Sequence, residues 1–381
     1  MVRSRSLGTS SFTAPGSKRM KLFVSRRFLF LCSFVAAPWV LRTAEAAGPG
    51  AGDLPDLPIA TVSSALHQAV ALSYIDAKNA NMLVSPLSVW RSLRLLEDGA
   101  SGSTLTEMVS LLDLSSADLD VDDVSSSPYV EDTGITVDAA ERVYKSPVQD
   151  PTLEQYCLAE EAKFHTEHET VDFGGPGVAE HMNSFVRSLT KNTLKYAVSP
   201  SSFYPDTRLT VINGLFFDAP WGLPFRLSDS SEIGSDFGGG LPDENCQYME
   251  RAISRFETEF ILEGPVLAMR LPFSHRDLAM YIFMPENLQA FEADPSFPQM
   301  IDDLVEQMHQ GIYERWQNPD QNKGSVRLVL PRFVIRPHVN SYDLSVALKA
   351  MGVNELFDEA DLSQMTDAAG IRVDSFPHSP G

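Results

Sequence analysis

His165, His168 and Glu169 stand as H-x-x-H-E, a spacing close to that of metal ligands. The order matches neither H-E-x-x-H nor H-x-x-E-H, in which one helix face presents two imidazoles and a carboxylate. A polar connection from a helix to a strand accounts for the three residues, so no metal and no cofactor is expected. Glycines at 174–177 and 238–240 lack the flanking strand, helix and lysine that turn a loop into a phosphate cradle, and they read as turns. No serine sits in a G-x-S-x-G elbow. Eight histidines among many acids always allow some Ser, His and Asp to be grouped on paper, but spacing alone gives such a triple no geometry. No catalytic residue is assigned. The chain is not expected to be an enzyme, and a hydrolase is the remotest reading.

One further cluster has ligand-type residues. Between 113 and 132 lie Asp113, Asp118, Asp120, Asp122, Asp123, Glu131 and Asp132, with no Lys or Arg. A calcium loop needs the order D-x-[DN]-x-[DN]-G and a glutamate at its twelfth position, and neither is present. The run reads as a solvated acidic surface loop. Acidity is general: 381 residues carry 30 Lys and Arg against 51 Asp and Glu, a formal charge of −21. Nucleic acid is disfavoured as a main partner, because phosphate binding needs clustered Lys and Arg. With 43% hydrophobic residues the chain has ample material for a core, which excludes global disorder.

The basic residues that do occur are concentrated early. Residues 1–46 hold Arg3, Arg5, Lys18, Arg19, Lys21, Arg26, Arg27 and Arg42 against a single acid, Glu45. An apolar run at 28–41 follows Arg27, and an A-x-A site spans Ala44 to Ala46. That order describes a secretory signal peptide at 1–46, or one starting at Met20, with a flexible lead-in at 47–60. The run is short for a membrane span and Pro38 interrupts it, so no stable span is expected after cleavage. Cleavage would leave 22 basic and 50 acidic residues, a net charge of −28, and an extracellular product. Cys32 would leave with the signal; Cys157 and Cys246 would remain, too few for a dense disulfide framework.

The elements that must position any site can be read from periodicity. Helical spacing marks 61–75, the stretch from Val89 to Gly99, 153–163, 179–189 and the stretch from Leu344 to Met351, which Gly352 stops. Thr104 and Glu107 have capping-box spacing for a helix start. Strand-like runs occupy 82–85, 211–217, 265–273, 278–286 and 326–335, bounded by Pro, Gly and Asn. Helices dominate early and strands late, without regular alternation. The expected class is α+β, with helices packed on large mixed or antiparallel sheets in a single domain from 61 to 381.

Several segments resemble the serpins, the large family of serine protease inhibitors. They are NMLVSPLSVWRSL from Asn81, GASGSTLTEMVSLL from Gly99 and TVINGLFFDAPWGLPF from Thr210, then LAMYIFMPEN, VRLVLPRFVI, SYDLSVALKAMGVNELF and ADLSQM, in family order. The resemblance implies a metastable central sheet that takes up a cleaved reactive loop as an extra strand, which traps the protease as a suicide inhibitor. It places Ser85, Pro86, Ser88, Asn213 and His378 in the shutter, where strands part, and Trp221 at the breach, where the loop enters. It implies a target serine protease, or a cysteine protease, as partner. A non-inhibitory carrier, chaperone or ligand-binding serpin is the alternative.

Two departures bear on that expectation. IRVDSFPHSPG, from Ile371, lines up with the start of the strand after the last helix, and the hinge, reactive loop and closing strands that the family places next are absent from residues 1–381. The domain is therefore expected to be incomplete at its C-terminus, unable by itself to trap a protease, and left with bare sheet edges. The acidic run at 113–132 falls where polyanion-activated serpins are basic, so heparin-type activation is disfavoured by like-charge repulsion.

Overall fold

A computed structural model describes residues 2–4, 19–23, 28–33, 58–73, 82–112, 134–204, 207–227, 247–254, 260–261, 264–274, 278–317, 325–332 and 342–378. Three short strands fall inside the stretch expected to be a leader: Val2–Ser4 (β1), Arg19–Phe23 (β2) and Phe28–Ser33 (β3). The acidic run at 113–132 and Cys246 lie outside the described residues.

Amphipathic helices come next, much as their periodicity predicts. Pro58–Ser73 is α1, and after the two-residue strand Met82–Leu83 (β4) comes α2, Pro86–Gly99. The start of α2 is set by Ser85, extended and capping Ser88 N with its side chain, and by Pro86, whose missing N–H costs nothing in a first turn. Helix α3 runs Gly102–Leu112, so Thr104 and Glu107 lie inside it rather than forming the expected capping box. Both reach instead to the far end of the chain. Thr104 Oγ1 accepts from Asp361 N at 2.9 Å, and Glu107 Oε2 accepts from the backbone N–H groups of Asn354 and Glu355 at 2.6 and 2.8 Å.

Thr136–Lys145 (β5), Pro151–Phe164 (α4), Glu167–Thr170 (β6), Val178–Leu189 (α5) and Leu209–Asp218 (β7) follow. They make a three-stranded sheet in the order β6-β5-β7, in which β5 and β7 pair antiparallel from Thr136↔Asp218 to Lys145↔Leu209. Cys157, on α4, is a free thiol, 1% exposed, and burial pushes it up to about 11. A thiolate-selective reagent at pH 7.5 is expected to leave Cys157 unmodified in the folded protein and to label it after unfolding. Peptide mapping by mass spectrometry checks this, and labelling of Cys157 at equal rates in both states would refute it.

The later half is strand-rich: Arg226–Leu227 (β8), Tyr248–Ser254 (β9), Phe260–Ile261 (β10), Val266–Pro272 (β11) and Ala279–Pro285 (β12). Two helices that the sequence reading passes over, Leu288–Ala293 (α6) and Phe297–Gln317 (α7), precede Ser325–Pro331 (β13). The chain closes with Tyr342–Asp343 (β14), Ser345–Ala350 (α8), Glu355–Asp358 (α9) and Pro377–His378 (β15). The architecture is α+β with antiparallel and mixed sheets: a six-stranded one in the order β10-β11-β12-β3-β1-β4, a four-stranded one in the order β2-β13-β9-β8, and the pair β14-β15.

Side chains of β12 feed two cores. Tyr281 and Phe283 pack with α6 and α7, while Ile282 faces a cluster shared with β11 and β13. Strand β12 pairs with β11 and β3, and β13 with β9 and β2. The largest cluster joins α1, α2 and α3 to α8, α9 and the segment before β15, so the early helices fold against the last residues described.

Candidate functional site

The beginning of α2 and the end of the chain meet at one point. Ser85 N donates to His378 Nε2 of β15 at 3.0 Å, Ser85 Oγ and Ser88 Oγ are 2.9 Å apart, and Pro86 lies between them in the sequence. Because Nε2 accepts, the neutral ring carries its proton on Nδ1. Burial drives the His378 imidazole down to about 4, which keeps that acceptor free at neutral pH. Tyr342 pairs with His378, and Asp343 Oδ1 accepts from Phe376 N at 3.2 Å and Ser345 N at 3.0 Å, fixing β15 against β14.

A second polar group lies under the three-stranded sheet, on the same helix. Glu141 of β5, 6% exposed, stands opposite Asn213 of β7. Ser92 Oγ of α2 donates to Glu141 Oε1 at 3.5 Å. Burial pushes the Glu141 carboxyl up, and the Arg91 charge pulls it part of the way back. The buried side-chain amide of Asn213 and the Ser92 hydroxyl act on the Glu141 carboxyl in the same direction as Arg91. Ser85, Pro86, Ser88 and His378 thus lie next to one another. Asn213 lies in β7, paired with Glu141 of β5. The sequence reading did not single out Glu141, Arg91 or Ser92, because a carboxylate in an alternating strand carries no sign of which face is dry.

Trp221 stands at the other end of the sheet. It bridges antiparallel to Phe273, stacks on that ring at 5.0 Å, and meets Phe225 edge-on at 5.5 Å. Phe217, at the end of β7, meets Phe273 from another side at 5.2 Å.

Helix α2 therefore underlies two separate pieces of sheet, β6-β5-β7 through Ser92 and β14-β15 through Ser85, and no ladder joins those pieces among the described residues. The family Serpin (serine protease inhibitor) matches residues 60–380. The chain belongs to the serpin family.

Among its curated serpin relatives, Serpin B5 of Xenopus tropicalis is 26% identical over 304 residues, 77% of this chain and 76% of that protein. Serine protease inhibitor 42Dd of Drosophila melanogaster is 25% identical over 324 residues, 83% and 80% of the two chains. Solved serpin structures share the fold. Human thyroxine-binding globulin superposes with a TM-score of 0.64 at 18% identity, covering 84% of this chain and 83% of its own. Uncleaved ovalbumin gives 0.62 at 17%, covering 84% of each. The serpin family holds protease inhibitors and non-enzymatic carriers rather than hydrolases.

The histidine and carboxylate motif of this serpin does not converge. His165 is the exposed left-handed cap of α4, with φ 54°. His168 Nδ1 lies 3.4 Å from Glu161, and Glu169 Oε1 bonds His181 Nε2 at 2.9 Å. Among the described residues no group of three or more His, Cys, Asp or Glu is arranged to hold a metal ion, and no described helix is long and apolar enough to cross a membrane.

Proposed function

We propose that the chain is the strand-accepting body of a serpin-type inhibitor of serine proteases, whose divided sheet receives a reactive loop as an added strand. The observation that carries this reading is the separation of β5-β7 from β14-β15 over α2, with Ser85, Ser88 and His378 at the division. Entry of a strand there would add ladders along edges that are unpaired among the described residues, a gain in buried hydrogen bonds of the kind that drives a protease-trapping rearrangement. The weak local contacts fit the same role. One N–H to imidazole bond joins the start of α2 to β15 beside the division, and a bond of that kind contributes only about 0.5–1.5 kcal/mol net.

The test supplies the strand in trans. The full chain is incubated with synthetic peptides of about a dozen small and β-branched residues, the type that extends readily, and its melting temperature is followed. A rise of several degrees with at least one peptide is expected, because a ligand that binds only the folded state stabilises it. No rise with any peptide, together with a rise on adding small apolar ligands, would transfer the reading to a non-inhibitory carrier.

A further inference from the structure

We propose that Asn213–Gly214 in β7 is a site of spontaneous deamidation, held closed by the β5-β7 ladder, whose product sets a second carboxylate against Glu141 and weakens that ladder at its middle. It is the one Asn-Gly pair in the sequence. Asn213 is half-buried and Gly214 buried.

The reaction needs only water. The backbone nitrogen of Gly214 attacks Cγ of the Asn213 side chain and gives up its proton, and a five-membered succinimide closes as ammonia leaves. Water then opens the ring at either carbonyl. One opening gives aspartate; the other gives isoaspartate, with the main chain rerouted through the side chain. Glycine in the second position favours closure, because its backbone turns freely and no Cβ crowds the attacking nitrogen.

The fold supplies the restraint. An Asn-Gly pair has the local preference of a tight turn, and neither residue favours a strand. Here the pair stands in the middle of one: β5 and β7 pair from Thr136↔Asp218 to Lys145↔Leu209, with Asn213 opposite Glu141 and Gly214 opposite Ala140. Pairing keeps the backbone extended, with ψ near about +135°, and ring closure requires the Gly214 nitrogen to swing round onto the preceding side chain. Helix α5 closes over the same point. A Cβ on Gly214 would lie 2.4 Å from Leu189 Cδ2, so the Leu189 side chain fills the space beside the bare backbone. The glycine that admits α5 is therefore the glycine that makes the pair labile once β7 lets go.

The product is poorly tolerated where it forms. Glu141 is 6% exposed. Burial disfavours its charged form, while Arg91, the Asn213 amide and Ser92 favour it, in that order. Hydrolysis replaces the amide, which can donate, with a carboxylate, which only accepts. Two acids then oppose each other across the ladder, a destabilising pair in a sheet. Arg91 of α2 is the cation that acts on Glu141, and Glu160 and Tyr156 of α4 also lie within its field. Isoaspartate does more, since an added main-chain atom shifts one side of β7 against its partner.

A time course on the full chain tests the site. One sample is kept folded at pH 8.5 and another is unfolded in guanidinium, and peptide 209–226, in which Asn213 is the only amide residue, is followed by mass spectrometry for conversion of amide to acid. In the unfolded chain Asn213 is expected to react before Asn192, which is exposed in the fold and followed by Thr193. In the folded chain Asn213 is expected to react about tenfold or more slowly. Asn213→Asp, made directly, is expected to lower the urea midpoint at pH 7.5 by about 0.5 M or more. Adding Glu141→Gln to that variant is expected to recover more than the same change gives the wild type, because the opposed charge is gone. The time course on the unmodified chain covers the case in which Asn213→Asp fails to fold. Equal rates at Asn213 in the folded and unfolded samples, faster reaction at Asn192 in the unfolded one, or a wild-type midpoint for Asn213→Asp would each overturn the proposal.

Discussion

Gly222→Ala is expected to destabilise the protein by about 2–4 kcal/mol, a large share of the margin by which a domain of this kind is folded. Gly222 follows Trp221 at the bridge to Phe273, and its N–H donates to Pro272 O at 3.0 Å while Ser274 N donates to Pro220 O at 2.8 Å. A Cβ at position 222 would lie 2.4 Å from the carbonyl oxygen of Phe273 and 3.1 Å from that of Pro272. Those atoms are backbone held by a ladder, so the clash cannot be relieved by a rotamer. The strands must separate, which costs both hydrogen bonds and the stacked contact of Trp221 on Phe273. Two comparison variants make the cause visible. Gly214→Ala meets the Cδ2 of Leu189, also at 2.4 Å, but that atom ends a flexible side chain. Gly264→Ala meets nothing within 4 Å and is strained only by its φ of +106°, at a cost of about 1 kcal/mol. Urea midpoints should therefore fall most for position 222. If Gly222→Ala and Gly264→Ala unfold at the same midpoint, close packing at the bridge to Phe273 is not what holds Trp221 in place.

How much of this was legible beforehand depends on whether the governing force is local. Helix α2 could be placed from sequence because Ser85, Pro86 and the spacing of Val89, Leu93, Leu95 and Leu96 act within one helix. The strands β7, β11 and β12 announced themselves as apolar runs between breakers. The Thr104 and Glu107 pair was misread because its partners, Asp361, Asn354 and Glu355, are remote in sequence, and a side chain that satisfies its own helix start looks the same as one that satisfies another's. Family resemblance could name His378. It could not supply the Ser85 contact, or the buried Glu141 beneath β5, which depend on where α2 crosses the sheet.

Acid is expected to weaken the protein through His378, by about 2–3 kcal/mol between pH 7 and pH 4.5. The folded-state value of this imidazole is lowered from 6.5 to about 4, chiefly by burial. A depressed value means that the unfolded chain binds the proton more readily. The stabilising contribution is therefore complete above about pH 6.5 and is lost as pH falls toward 4. The geometry gives the same sign. Protonation at Nε2 would turn the acceptor of the Ser85 N–H into a second donor facing it, at the positive end of α2. Glu160 on α4 works in the opposite direction, because burial, followed by the neighbouring Asp98 charge, raises it from 4.5 to about 8. Its contribution is complete below 4.5 and lost as pH rises through 8, so the two groups partly offset one another in the whole protein. The difference between wild type and His378→Gln isolates the histidine, since Gln offers Ser85 an acceptor that does not titrate. Urea midpoints taken at pH 7 and pH 4.5 should fall further for wild type than for the variant. Equal falls would mean that His378 is already exposed to solvent when the division between β7 and β15 is at rest, and that the Ser85 contact is not what keeps it closed.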